Sequence, residues 1–147
     1  MRTGFACLLA TAALVLAALL VGCGGGGGPT LPDPIIRFVN SSPDSNPLDY
    51  FIDTDKKAAA LTYLTDSAEV TTKKGDKDIS VQDSTNQAEL DAVAFTFAQD
   101  NKYLAITVGL ENYGAETLKR LRLLAFQYDK NPPNGSRARL LIVHGFM

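Results

Sequence analysis

The sequence predicts an all-β domain, a sandwich or barrel of about eight short strands. Three observations carry this. Apolar and polar residues alternate over short segments from residue 35 onward, clusters of Asn, Asp, Pro and Gly separate those segments, and helical periodicity is scarce after residue 34. Long crossover helices are missing from the pattern, which argues against a parallel α/β sheet.

Ahead of this domain stands a leader. Met1-Arg2-Thr3 opens the chain, and Phe5 to Val21 then runs without a single charge. A short positive start before an Ala- and Leu-rich apolar run is the plan of a secretory signal peptide. The run closes on Leu20-Val21-Gly22-Cys23, which resembles the lipobox of bacterial lipoproteins. That resemblance implies a signal peptide over 1–22, cleavage before Cys23, and lipidation at Cys23. The competing reading is a retained transmembrane helix, since a span needs about 20 apolar residues. Residues 23–33 are the lipidated cysteine and a flexible tether, because Gly24 to Gly28 cannot pack and Pro29 and Pro32 follow. Gly24, rather than Asp, follows the cysteine, which resembles the outer-membrane class of Gram-negative lipoproteins.

Removal of 1–22 leaves 125 residues and takes away Arg2, so 13 basic residues face 16 acidic ones and the formal charge moves from −2 to −3. That size suits one domain with a modest core. The mild acidity argues against nucleic acid as a partner. Cys7 leaves with the leader and Cys23 carries lipid, so no thiol remains for a disulfide or a cysteine metal site.

The domain occupies 34–147. Ile35 to Val39 reads as a strand with Ile36 and Phe38 on one face, and Asn40 to Pro47 is dense in turn formers. Leu48 to Ile52 is the next strand, closed by Asp53-Thr54-Asp55. Ala58 to Leu64 and Ala68 to Thr72 are weaker strand candidates, Lys73 to Asp76 a turn, and Asp78 to Gln82 a short strand. Ala92 to Ala98 alternates with Val93, Phe95 and Phe97 on one face, and Lys102 to Leu110 alternates with Leu104, Ile106, Val108 and Leu110 inward. Leu118 to Tyr128 fits a strand or a helical face. Asn131 to Gly135 forces a turn, and Ala138 to His144 is a last strand, apolar on both faces, that pairs beside Leu118 to Tyr128.

Arg37-Phe38-Val39-Asn40-Ser41-Ser42-Pro43-Asp44, followed by Pro47-Leu48-Asp49-Tyr50-Phe51-Ile52-Asp53, resembles the opening of a bacterial extracytoplasmic family, domain of unknown function 4397. Arg37, Asn40, Ser42, Pro43, Asp44, Pro47, Leu48, Asp49 and Asp53 match that opening. Ser41, Ser45 and the order Tyr50-Phe51 depart from it. The resemblance implies an immunoglobulin-like antiparallel β-sandwich and makes Leu118 to Tyr128 a strand. Many relatives carry the unit twice. Leu141 to His144 can be laid on Arg37 to Asn40, so residues 138–147 also read as the first strand of a lost second copy. The family has no established activity to carry over.

No catalytic constellation stands out. His144 is the only histidine, and a lone histidine at a strand end is read as structural. Asp44, Asp49, Asp53 and Asp55 form the densest acidic group, but their spacing is not that of a calcium loop, so turn and strand-end hydrogen bonding is the favoured role. Asp49 stands out because strands disfavour Asp. Ser41 and Ser42 lack a nucleophile elbow and read as backbone hydrogen-bonding groups. Lys119, Arg120 and Arg122 read as a solvated strand face. Asn40-Ser41-Ser42 and Asn134-Gly135-Ser136 match the N-glycosylation pattern, which has little weight in a bacterial setting.

The expectation is therefore a non-catalytic envelope lipoprotein, anchored to a membrane through Cys23, with no cofactor, whose domain binds an envelope protein or a glycan. The rivals are a hydrolase or metal-assisted enzyme, which needs Asp49, Asp53 and His144 to converge, and a truncated remnant with little function of its own.

Overall fold

The computed structural model describes residues 30–113, 120–128 and 142. The leader, Cys23, the glycine tether, Lys119, the 131–135 turn and His144 lie outside them. So does the expected last strand 138–144 apart from Ile142, which is exposed.

The described residues form nine strands: β1 (Ile35–Asn40), β2 (Leu48–Ile52), β3 (Asp55–Leu61), β4 (Thr65–Asp66), β5 (Val70–Thr71), β6 (Gly75–Asp83), β7 (Glu89–Phe97), β8 (Lys102–Val108) and β9 (Arg122–Tyr128). They build two sheets. One has the order β4-β1-β8-β9, with β5 also paired to β1, and the other has the order β3-β2-β6-β7. The chain is a β-sandwich, and β9 is a strand rather than a helix. One pairing departs from the expected antiparallel pattern, because β1 and β8 run parallel from Ile35↔Lys102 to Asn40↔Thr107. The chain between them traverses the whole opposite sheet, and a long connection of that kind is what parallel neighbours require.

Local chemistry sets the strand ends. Asp53 takes the turn between β2 and β3 at φ 54, a conformation Asp tolerates because its short side chain bonds locally. The expected turn over Lys73 to Asp76 ends two residues early, since Gly75 already opens β6. Its φ of +112 is open to glycine and strained for other residues.

The core lies between the sheets. Ile36, Phe38, Leu48, Tyr50, Ile79, Val81 and Phe97 are all buried in it, joined by Tyr103, Ala105, Leu121 and Leu123. Phe95, Phe97 and Tyr103 meet edge to face with centroids 5.0–5.3 Å apart, the arrangement ring quadrupoles favour. Strand β8 reverses the expected parity. Tyr103, Ala105 and Thr107 turn to the core, and Leu104, Ile106 and Val108 take the other face, where Ile106 and Val108 are nevertheless buried. The polar atoms on the inward face are satisfied: the Thr107 hydroxyl hydrogen-bonds Tyr50 Oη at 2.7 Å, and Tyr103 Oη accepts the Ala98 N–H at 2.8 Å. With those bonds made, Tyr and Thr can be buried without a desolvation penalty.

All of these core residues lie inside the compact unit Leu31–Met147, which thus holds its own hydrophobic interior. The strands give this unit an entry end, where the chain arrives through Pro34, and a far end beyond Asn40.

Candidate functional site

All six lysines among the described residues sit toward the entry end. Lys56 and Lys57 stand near the start of β3, Lys73 and Lys74 in the loop before β6, Lys77 near the start of β6, and Lys102 at the start of β8. Three of them line a cleft of about 290 Å³ together with Asp33, Asp53, Asp55, Ile52, Thr71 and Thr72. Each lysine faces a carboxylate. Lys73 Nζ donates to Asp33 at 2.6 Å, Lys77 Nζ to Asp53 at 2.6 Å, and Lys57 Nζ to Asp55 at 3.4 Å. The Lys77 ammonium holds the Asp53 carboxyl below its usual range, helped by the Asp78 N–H, and Asp53 in turn raises Lys77. The lining thus carries three ammonium groups and three carboxylates and is formally neutral.

Two hairpin segments and the residues before β1, which supply Asp33, make this cleft. The β2–β3 hairpin supplies Asp53 from its turn and Asp55 and Lys57 from the start of β3, and the chain from β5 to β6 supplies Thr71, Thr72, Lys73 and Lys77. Sequence reasoning singled out Asp53 and Asp55 and missed Asp33 and the lysines. The signal was present in two similar stretches, Asp53-Thr54-Asp55-Lys56-Lys57 and Thr71-Thr72-Lys73-Lys74, but nothing in one sequence says that they meet.

The acidic group does not converge. Asp49, the second residue of β2, is 2 % exposed and takes a hydrogen bond from Lys56 Nζ and another from the Ala60 N–H at 2.8 Å. Ala60 has φ 51, and the β2–β3 register shifts there. The carboxylate therefore satisfies a donor that a bulge has freed, which explains an Asp within a strand.

Asp44 lies at the far end and accepts the N–H groups of Glu111 and Asn112 at 2.9 and 3.0 Å. Glu111 accepts the Asn46 N–H, and the Asn46 amide donates to Asp83 at 2.9 Å. Burial pushes Asp83 up, but donors from Thr85, Asn46 and Asn86 outweigh it and leave its carboxyl below the usual range. Glu111 is raised, by burial and by the nearby Asp83 and Asp44.

Asn40 is the hub of that end. Fully buried, it donates to the Leu61 carbonyl at 3.0 Å and to Ser45 Oγ at 3.1 Å, and its Oδ1 accepts the Ser42 N–H at 2.9 Å. Its amide is enclosed in the folded domain, so the glycosylation pattern there cannot be used. Ser42 is likewise buried and bonded locally. Of the basic cluster, Arg120 donates to the Leu90 carbonyl at 3.2 Å and lies 3.9 Å from Asp91, so it ties the residues just before β9 to β7 rather than facing only solvent, and Arg122 is exposed.

A search of curated proteins finds no match. A family model does match over residues 34–146, the whole sandwich and the 138–144 stretch with it. Taken with the two-sheet fold and the Asn40 to Asp53 opening, this places the chain in the family described as "Domain of unknown function (DUF4397)".

Proposed function

We propose that this protein is a non-catalytic lipoprotein of the bacterial envelope, held on a membrane through Cys23, with the sandwich acting as a binding module for an envelope protein or glycan. The segment Leu20-Val21-Gly22-Cys23 at the end of an uncharged apolar run carries the reading. In a Gram-negative cell Gly24 favours the outer membrane. A second support is the use of the carboxylates. Asp49 is engaged by Lys56 and Ala60, and Asp53 by Lys77 and Asp78, so each has a structural partner of its own. Dual or triple acylation anchors stably where one chain binds only marginally, so lipid on Cys23 suffices without a spanning helix.

The test is metabolic labelling with a palmitate analogue in a bacterial host. Wild type takes up label and fractionates with membranes. Cys23→Ser takes up none and accumulates as precursor or soluble protein. Equal labelling of the two removes the proposal.

A further inference from the structure

We propose that the entry-end cleft is a binding site for a small zwitterion bearing a phosphate and a primary amine, the chemistry of a phosphoethanolamine group. The lining is the argument. Three lysines and three aspartates line about 290 Å³, at the small end of ligand sites. A simple anion entering this space meets three carboxylates, and a simple cation meets three ammonium groups. A ligand with both charges exchanges partners instead. Its phosphate takes donors from Lys57, Lys73 and Lys77, with the Thr71 and Thr72 side chains in the same wall, and its ammonium takes Asp33, Asp53 and Asp55.

The exchange is cheap. Each ion pair keeps at least one partner in contact with water, with the Lys73 side chain 80 %, the Asp55 side chain 75 % and the Asp53 side chain 45 % exposed, while Lys57 and Lys77 are about three-quarters covered, and pairs that water reaches contribute little to folding. Lysine–phosphate hydrogen bonds are charge-assisted and stronger than neutral ones.

A source for the ligand is near at hand if Cys23 is lipidated, and this part rests on the proposed function. Nine residues lie between Cys23 and Asp33, so the ten steps of chain joining them span at most about 35 Å when fully extended. The cleft would then stay within reach of lipid headgroups, some of which carry an amine and a phosphate together.

The experiment uses the unit Leu31–Met147, which holds its own core and lacks the anchor, so its outcome is independent of lipidation. Amide shifts are followed by NMR during titration with O-phosphoethanolamine. Saturable shifts are expected at Asp53 to Lys57 and Thr71 to Lys77. Ethanolamine and inorganic phosphate are each expected to bind at least about tenfold more weakly, a difference of roughly 1.4 kcal/mol. Lys57→Gln with Lys77→Gln is expected to weaken the zwitterion by a similar factor, while unchanged shifts in the Asn40 loop show that the variant is folded. A second arm adds phosphatidylcholine vesicles with or without phosphatidylethanolamine. Broadening of the cleft resonances only with the ethanolamine lipid assigns the source to the membrane, and a response only to the free compound assigns it to a soluble zwitterion. The proposal is overturned if the cleft shifts do not saturate, or if inorganic phosphate alone binds as tightly as O-phosphoethanolamine.

Discussion

The two ends of the sandwich are held together by different chemistry. At the entry end, lysines and carboxylates pair across a cleft open to water. At the far end the described residues include no lysine, and a fully buried asparagine and a fully buried aspartate hold the loops through hydrogen bonds to backbone and amide groups. Buried polar groups are strong only while every bond is made, and costly once one is lost. Exposed ion pairs can be remade with water or another ion at little cost. The far end is therefore built for rigidity and the entry end for exchange, as a binding surface needs.

This comparison presupposes a shared core between the ends, and the largest effect tests it. Ala105→Lys places an ammonium in the core beside its strand partners Phe38 and Ala125 and should abolish cooperative folding, since an unpaired buried charge has no compensation. Leu104→Lys, one residue away on the opposite face, should leave a folded protein. Circular dichroism and urea unfolding of both variants make the check. Two folded variants, or Leu104→Lys as the more damaging, would mean that the faces of β8 are assigned the wrong way round.

Asn40→Ala comes next. It leaves the Leu61 carbonyl and the Ser42 N–H without their partner, and each orphaned group costs about 1–3 kcal/mol. A loss of about 2–4 kcal/mol in urea unfolding is expected on that basis. A loss below about half a kcal/mol would show that water replaces the amide, and the rigid far end would not be rigid.

These effects also mark what one sequence made legible. Strands bounded by clear turn punctuation, such as β1 and β2, were readable as elements, and β1 buries the face of Ile36 and Phe38 that its sequence marks as inward. The parity of β8 was not, because both of its faces carry apolar residues and only the bonds of Tyr103 and Thr107 show which face is inside. Asp49 was noticed as anomalous, but its cause is a bulge at Ala60 eleven residues away, and bulges leave no alternation to read. Asp53 and Asp55 were read as part of one acidic group with Asp44. The favoured role, turn and strand-end hydrogen bonding, fits Asp44 and Asp53, which accept backbone N–H groups, but the sequence does not show that the strand Leu48–Ile52 between them sends the two to opposite ends of the sandwich. Pairs such as Asp33 with Lys73 depend on a tertiary approach across 40 residues, which no local pattern encodes.

A smaller effect distinguishes the carboxylates of the far end by their pH dependence. Asp83 has a lowered pKa in the folded state, so its contribution is present above the unfolded value and is lost as pH falls through the folded one. Glu111 is raised, so its ionised form is disfavoured in the fold. Its penalty is absent below the unfolded value, near pH 4.3 for Glu, and grows as pH rises through the raised folded value. Glu111→Gln keeps an oxygen for the Asn46 N–H and removes the charge beside Asp83 and Asp44. It should be more stable than wild type at pH 7 and equal to it at about pH 3.5. Urea midpoints at the two pH values decide, and a variant less stable than wild type at pH 7 would mean that the ionised carboxylate is needed there.

The smallest effect is expected at the entry end. Lys73→Ala with Lys77→Ala removes two of the three ammonium groups of the cleft, leaving Asp33 and Asp53 open to solvent. Water can hydrate both carboxylates, and no buried donor or acceptor is orphaned by the change, so the unfolding midpoint should stay close to that of wild type. Salt sharpens the point. The Debye length is about 8 Å at physiological ionic strength and about 3 Å at 1 M, so any loss seen in dilute buffer should shrink further at 1 M sodium chloride. Asn40→Ala should keep its full cost there, because screening does not restore a missing hydrogen bond. If the lysine variant instead fell as far as Asn40→Ala and stayed low in salt, the cleft would be a structural clamp. The contrast between a rigid end and an exchangeable one would then be lost, because a clamp that the fold requires cannot give up its partners to a ligand.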